Sequence, residues 1–169
     1  DRILSMGPYN ILAVDDEVSN LSALRRILRR EYNVFTATNG DDALTIMKRN
    51  DIALIVADYH MPGMTGIELL EKARQKYPDT IRIILTAYTD KELLMDAINA
   101  AHVHGYLVKP WEPEEVKSII EKGIEAYEAS RAQRAQKNES KTIVEVMLEH
   151  GIISKSQLDM VIELQNSGR

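Results

Sequence analysis

The chain has 169 residues, 44% hydrophobic and 28% charged, with a formal net charge of -5; this is the balance of one globular domain plus a small appendage, and it argues against a surface built mainly to hold nucleic acid. Cysteine is absent, which excludes a disulfide framework and thiol chemistry. The longest apolar run, Ile52 to Ala57, is far short of the roughly 20 residues of a membrane span, and nothing at the start reads as a secretory signal, so a cytoplasmic protein without membrane insertion is expected.

Residues 1–8 show no clear period and are read as disordered or as an expression remnant. Ile11-Leu12-Ala13-Val14 is a short apolar run that reads as a first strand and ends at Asp15-Asp16. Leu21, Leu24, Ile27 and Leu28 then recur at helical spacing, with Arg25, Arg26, Arg29 and Arg30 between them. Val34 to Ala37 is a second strand, and Asn39-Gly40 turns the chain into a helix carrying Ala43, Leu44 and Met47. The third strand, Ile52 to Ala57, is apolar throughout, as a central parallel strand covered on both faces should be; it ends at Asp58. Gly63 and Gly66 break the chain before a third helix with Ile67, Leu69, Leu70 and Ala73, which stops before Pro78. The run Ile81-Arg82-Ile83-Ile84-Leu85 ends at Thr86, and a helix with Leu93, Leu94, Ala97 and Ile98 follows. Gly105-Tyr106-Leu107-Val108 leads to Lys109-Pro110, and Pro113-Glu114-Glu115 is a good helix start, since proline suits the first turn and carboxylates oppose the positive helix end. Strict alternation of five strands and five helices predicts an α/β fold: a doubly wound, five-stranded parallel sheet.

Beyond Tyr127 the apolar stripe lapses. Residues 128–139 offer only alanines among polar neighbours and read as a linker or a helix extension. Apolar residues return in 140–169, where Thr142 with Glu145 and Ser154 with Gln157 match capping boxes and Gly151 sits where a helix would stop. This predicts a C-terminal helical hairpin, a candidate truncated output domain. So short a segment must find partner surface on the 9–127 domain, on a second copy or on other sequence. Basic and acidic residues balance from Glu128 onward, which disfavours a DNA-binding helix pair.

Parallel strands would gather Asp15, Asp16, Asp58, Thr86 and Lys109 at one sheet edge, where α/β folds bind ligands. Carboxylates with a hydroxyl and an ammonium suit a divalent cation and an anion together. Asp16 and Asp58 are expected to ligate magnesium directly, with a backbone carbonyl near His60 as a third ligand and Asp15 acting through water. Asp58 is the candidate acceptor of a phosphoryl group, with Lys109 as a point charge and Thr86 as a donor to one phosphoryl oxygen. Each residue alone has a plainer reading: a helix cap for the acidic pair, a strand end for Thr86, a solvated charge for Lys109. The four histidines show no zinc spacing, Trp111 reads as a packing residue, and the arginine run reads as a solvated face or a docking surface for a partner.

Taken together, these motifs resemble the receiver domain of two-component response regulators, the CheY-like family. Asp15-Asp16 matches its metal pair, Asp58 with Met61-Pro62-Gly63-Met64-Thr65-Gly66 its phosphoacceptor and following loop, Thr86-Ala87 its switch hydroxyl, and Lys109-Pro110 its lysine followed by a cis-proline. The resemblance covers about Ile11 to Tyr127. It implies a flavodoxin-like strand order of 2-1-3-4-5, a sensor histidine kinase or phosphotransfer protein as partner, and Tyr106 as an aromatic switch. It also implies an output surface on the fourth helix, fifth strand and fifth helix. His60 and Tyr88, two residues beyond Asp58 and Thr86, would line the approach of hydrolytic water, and their bulk implies slow self-dephosphorylation.

Two other functions compete. A phosphohydrolase of the haloacid dehalogenase type also uses an aspartyl phosphate, but its two acids stand two residues apart after strand one, whereas here Asp15 and Asp16 are adjacent. A receiver-like interaction module that no longer uses phosphorylation would leave the clustered carboxylates without a purpose. Residues 143–158 are also similar to the opening helical pair of the N-terminal domain of type II secretion and pilus ATPases. For this segment the expected role is protein contact, with a homodimer as the candidate and no direct nucleic-acid binding.

Overall fold

The computed structural model describes residues 8–87 and 91–167. Five parallel strands, β1 (Asn10–Val14), β2 (Asn33–Ala37), β3 (Leu54–Asp58), β4 (Ile81–Ala87) and β5 (Gly105–Lys109), form one sheet in the order β2-β1-β3-β4-β5. They alternate with helices α1 (Val18–Leu28), α2 (Gly40–Arg49), α3 (Gly66–Lys76), α4 (Lys91–Ala101) and α5 (Pro113–Glu149), and α6 (Lys155–Ser167) follows. The doubly wound fold expected from the alternation is the one observed.

The side-chain period of two divides each central strand between two cores. Ile11, Ala13, Leu54, Val56, Ile81, Ile83 and Leu85 join Leu24 and Leu28 of α1 and Val116, Ile120 and Ile124 of α5. Leu12, Val14, Ile55, Ala57 and Ile84 point the other way, onto Ala43 and Met47 of α2, Leu69, Leu70 and Ala73 of α3, and Ala101 of α4. Burial on both faces explains why β3 is apolar without interruption. It starts at Leu54, two residues later than its apolar run; Ile52 is buried nevertheless, and its carbonyl accepts from Thr80 Oγ1 at 2.8 Å.

The chain divides into two compact units, 1–128 and 129–169. Helix α5 has no break over 128–139, so Thr142 lies inside a helix and does not start one. In the second unit Gly151 takes the left-handed conformation, φ 66°, and ends α5 with Ile152 N donating to Met147 O at 2.9 Å. Ser154 and Gln157 form the expected capping box: Gln157 N donates to Ser154 Oγ at 3.3 Å and Ser154 N to Gln157 Oε1 at 2.9 Å. Ile143, Ile152, Met160 and Leu164 are each at least 60% exposed, so this unit leaves much of its apolar surface uncovered. Among the described residues no helix is long and apolar enough to cross a membrane.

Candidate functional site

The parallel register carries the ends of β1, β3, β4 and β5 to one edge. Val14 pairs with Ala57, Asp58 with Leu85 and Ala87 with Lys109, so the polar residue closing each strand falls beside the next. Asp15, Asp16 and Asp58 each present a carboxylate oxygen within 4.8 Å of the others. Asp15 is wholly buried and Asp58 is 7% exposed, whereas Asp16 faces solvent.

Lys109 joins the two buried acids. Its Nζ stands 3.1 Å from Asp15 Oδ2 and 3.1 Å from Asp58 Oδ1. Asp15 is fixed further by Glu17 N, which donates to Oδ1 at 2.9 Å, and by Asn20 Nδ2, which donates to Oδ2 at 3.0 Å. The Lys109-Pro110 peptide is cis. Thr86 is 5% exposed, and its hydroxyl donates to Ala87 O at 3.2 Å.

One cation near three carboxylates leaves negative charge in excess. Burial and the Asp15 charge raise the Asp58 proton affinity above the ordinary carboxyl value, against the pull of Lys109. Burial alone would lower the Lys109 pKa, but its bonds to Asp15 and Asp58 outweigh that and raise it. A dication suits such a set: it is all oxygen, clustered at one rim, short of positive charge and open to solvent through Asp16. These donors fit magnesium.

The other sequence-predicted residues are less tightly placed. Tyr106 is 50% exposed on β5, and His60 is exposed with its ring edge-on to Tyr59 at a centroid distance of 4.6 Å. Tyr88 lies outside the described residues. Trp111 packs against the α1–α5 core, and the four arginines of the basic run are exposed.

Two supporting contacts escaped the sequence reading. Asn20 holds Asp15 from the first turn of α1; its signal was an amide one helical turn beyond the acidic pair. Gly66 starts α3 against the backbone of Asp58, and a Cβ there would stand 2.1 Å from Asp58 O. Gly66 N donates to Tyr59 O at 3.0 Å, closing the loop after β3. Thr65 caps the helix in a full capping box with Glu68.

Comparison with known proteins agrees with this fold. The family model for the response regulator receiver domain matches residues 11–121. The chain is 36% identical over 116 residues to the hydrogenase transcriptional regulatory protein HoxA of Cupriavidus necator, covering 69% of this chain and 24% of that protein. It is 30% identical over 165 residues to the transcriptional regulatory protein ZraR of Salmonella typhimurium, covering 92% of this chain and 37% of that one. The chain therefore spans about a quarter to a third of the length of these curated relatives. Among solved structures, the signal receiver domain of an HD domain-containing protein from Pseudomonas fluorescens Pf-5 superposes with a TM-score of 0.73 at 29% identity, covering 78% of this chain and 98% of that one. Chemotaxis protein CheY4 of Vibrio cholerae gives 0.65 at 31% identity, covering 69% of this chain and 98% of that one.

Proposed function

The chain belongs to the response regulator receiver domain family, and from that premise we propose that it is a phosphorylation-dependent signalling switch whose Asp58 accepts a phosphoryl group from a sensor histidine kinase or phosphotransfer protein. The observation that carries this reading is the convergence of Asp15, Asp16, Asp58 and Lys109 at the carboxyl end of the sheet.

Asp15, Asp16 and Asp58, with the backbone carbonyl of His60, would hold magnesium. When bound, magnesium neutralises charge on the carboxylates and on the transferring group. An Asp58 carboxylate oxygen forms the new O–P bond as the P–N bond of the donor phosphohistidine breaks, and the imidazole leaves with the partner. Lys109, already 3.1 Å from Asp58 Oδ1, holds a phosphoryl oxygen electrostatically. The Thr86 hydroxyl exchanges its bond to Ala87 O for another phosphoryl oxygen. That movement frees space for Tyr106, whose half-exposed ring turns inward and alters the face formed by α4, β5 and the start of α5.

Water resets the switch by hydrolysing the acyl phosphate, with His60, two residues beyond Asp58, lining its approach and slowing it. The chain turns over no other substrate. Its output is protein contact in the cytoplasm: a receiver at 9–127, a helical linker at 128–139, and a segment at 140–169 whose exposed apolar residues suit a second copy of the chain.

Incubation with magnesium and acetyl phosphate, followed by intact-mass measurement, tests the reading. Wild type should gain one phosphoryl group and Asp58→Asn none. A module that has abandoned phosphorylation would stay unmodified in both.

A further inference from the structure

The base of β5 is tied to its neighbour by a side chain as well as by backbone. β5 is an edge strand, and its ladder with β4 opens at the pair Ile83 and Gly105. One residue earlier, His104 N donates to Arg82 O at 2.7 Å, and Arg82 N donates back to His104 Nδ1 at 3.0 Å. The imidazole nitrogen thus stands in for a ladder carbonyl. It can do so only while Nδ1 carries no proton, which puts the proton of the neutral ring on Nε2.

A guanidinium stands beside this bond. Arg82 is 5% exposed, and its guanidinium is held by carbonyls: Nε donates to Ala101 O at 3.1 Å, Nη1 to Thr80 O at 3.0 Å and Pro78 O at 3.4 Å, and Nη2 to His102 O at 3.3 Å. Ala101 closes α4, so Arg82 draws on the negative end of a helix. From α3, Arg74 donates to Ala100 O at 3.4 Å and adds its charge beside Arg82. His102 follows α4, and Asp79 sits in the turn before β4. Partial burial and the Arg82 charge lower the proton affinity of His104 below the ordinary imidazole value. His104 is an exposed residue, so protons can reach it.

We propose that His104 is an acid-sensitive clasp: protonation of Nδ1 breaks its bond to the Arg82 amide, sets a second cation against Arg82, and frees the start of β5 from β4. β5 carries Tyr106 at its second position and Lys109 at its end, so the released strand belongs to the face through which a signal would leave. The clasp lies at the opposite end of β5 from Asp58 and needs no phosphoryl group; acidity becomes an input separate from the one proposed above.

The test uses the unphosphorylated full chain, with NMR titration of His104 from about pH 8 to about pH 5, which spans the ordinary imidazole range. In parallel, hydrogen-exchange protection of the Arg82 and His104 amides, the two donors of the clasp, is measured after correction for intrinsic rates. His104 should titrate below the ordinary value of about 6.5. Protection should fall as pH drops, by about tenfold for each unit by which its pKa is lowered. His104→Asn offers an amide oxygen to the Arg82 N–H and cannot titrate; it should keep protection at neutral pH and lose the acid response. His102→Asn should leave the response intact. An acid response equal in wild type and His104→Asn would overturn the proposal. So would a His104 that titrates at or above the ordinary value, a result the wild type yields even if the variant fails to fold.

Discussion

Lys109 reaches from the end of β5 to Asp58 at the end of β3, Nζ to Oδ1 at 3.1 Å, while bonding Asp15 at the same distance. The bond orders the site without neutralising it, since Asp16 adds a third carboxylate. The raised proton affinity of Asp58, set by burial and then by Asp15, means that ionising it works against the fold. For an acid whose folded pKa lies above its unfolded one, that penalty is complete above the folded pKa and vanishes below the unfolded one. Asp58→Asn should therefore stabilise the metal-free protein at neutral pH by about 1 kcal/mol, the ordinary scale of a point substitution. The advantage should shrink as pH falls through the folded pKa of Asp58. Urea midpoints at a neutral and a mildly acidic pH measure both, and a less stable variant at neutral pH would refute the account.

Gly66 owes its identity to the site. A Cβ at this position would meet Asp58 O at 2.1 Å and Asp58 C at 2.9 Å, both backbone atoms that cannot swing aside. Gly66→Ala must push the start of α3 away from β3, at a cost of about 2 kcal/mol or more. Because Asp58 is what it strikes, phosphoryl uptake from acetyl phosphate should slow as well. Gly63→Ala is the contrast: nothing lies within 4 Å of its Cβ, but φ is +79°, so it should cost about 1 kcal/mol in strain and leave uptake nearly unchanged.

The strands were legible because burial on both faces writes itself as apolar runs, and each run ends on a residue whose chemistry differs sharply from what precedes it. Asp15, Asp58, Thr86 and Lys109 could be placed at one edge from that pattern alone. What stayed hidden depends on neighbours remote in sequence. The Lys109 bridge to Asp15 spans the width of three strands, and nothing local at Gly66 announces the carbonyl of Asp58 against it. Arg82 sits inside an otherwise apolar run, where nothing local marks it out, yet it is buried because carbonyls from two loops and a helix end surround it. The Thr142 capping pattern misled for the opposite reason: capping residues are tolerated within a helix when turns on both sides continue it, and α5 runs on to Glu149.

Thr65 sets the direction of the loop between Asp58 and α3. Its Oγ1 accepts from Glu68 N at 3.2 Å, and Glu68 Oε2 accepts from Thr65 N at 3.2 Å. Thr65→Ala removes one half of this pair and should cost about 1 kcal/mol. Thr65→Ser should recover most of it. Thermal or urea unfolding of the three proteins decides the matter, and equal loss in the serine variant would assign the effect to the methyl group.

Magnesium should stabilise the fold through a site whose Asp58 carboxylate opposes it when bare. A ligand held only by the native state at about a hundredfold excess over its Kd adds about 2.7 kcal/mol. Wild type should thus unfold at a higher temperature in magnesium, and a chelator should return it to the metal-free value. Asp16 is exposed and lies outside the Lys109 bridge, so Asp16→Asn should leave metal-free stability unchanged or slightly raised while weakening magnesium binding. The expected signature is a magnesium-dependent shift that is large in wild type and small in Asp16→Asn at equal ion concentration, with calcium compared alongside to separate site binding from general screening. Identical shifts in the two proteins would mean that the ion acts elsewhere, and the reading of the three acids as its ligands would fail.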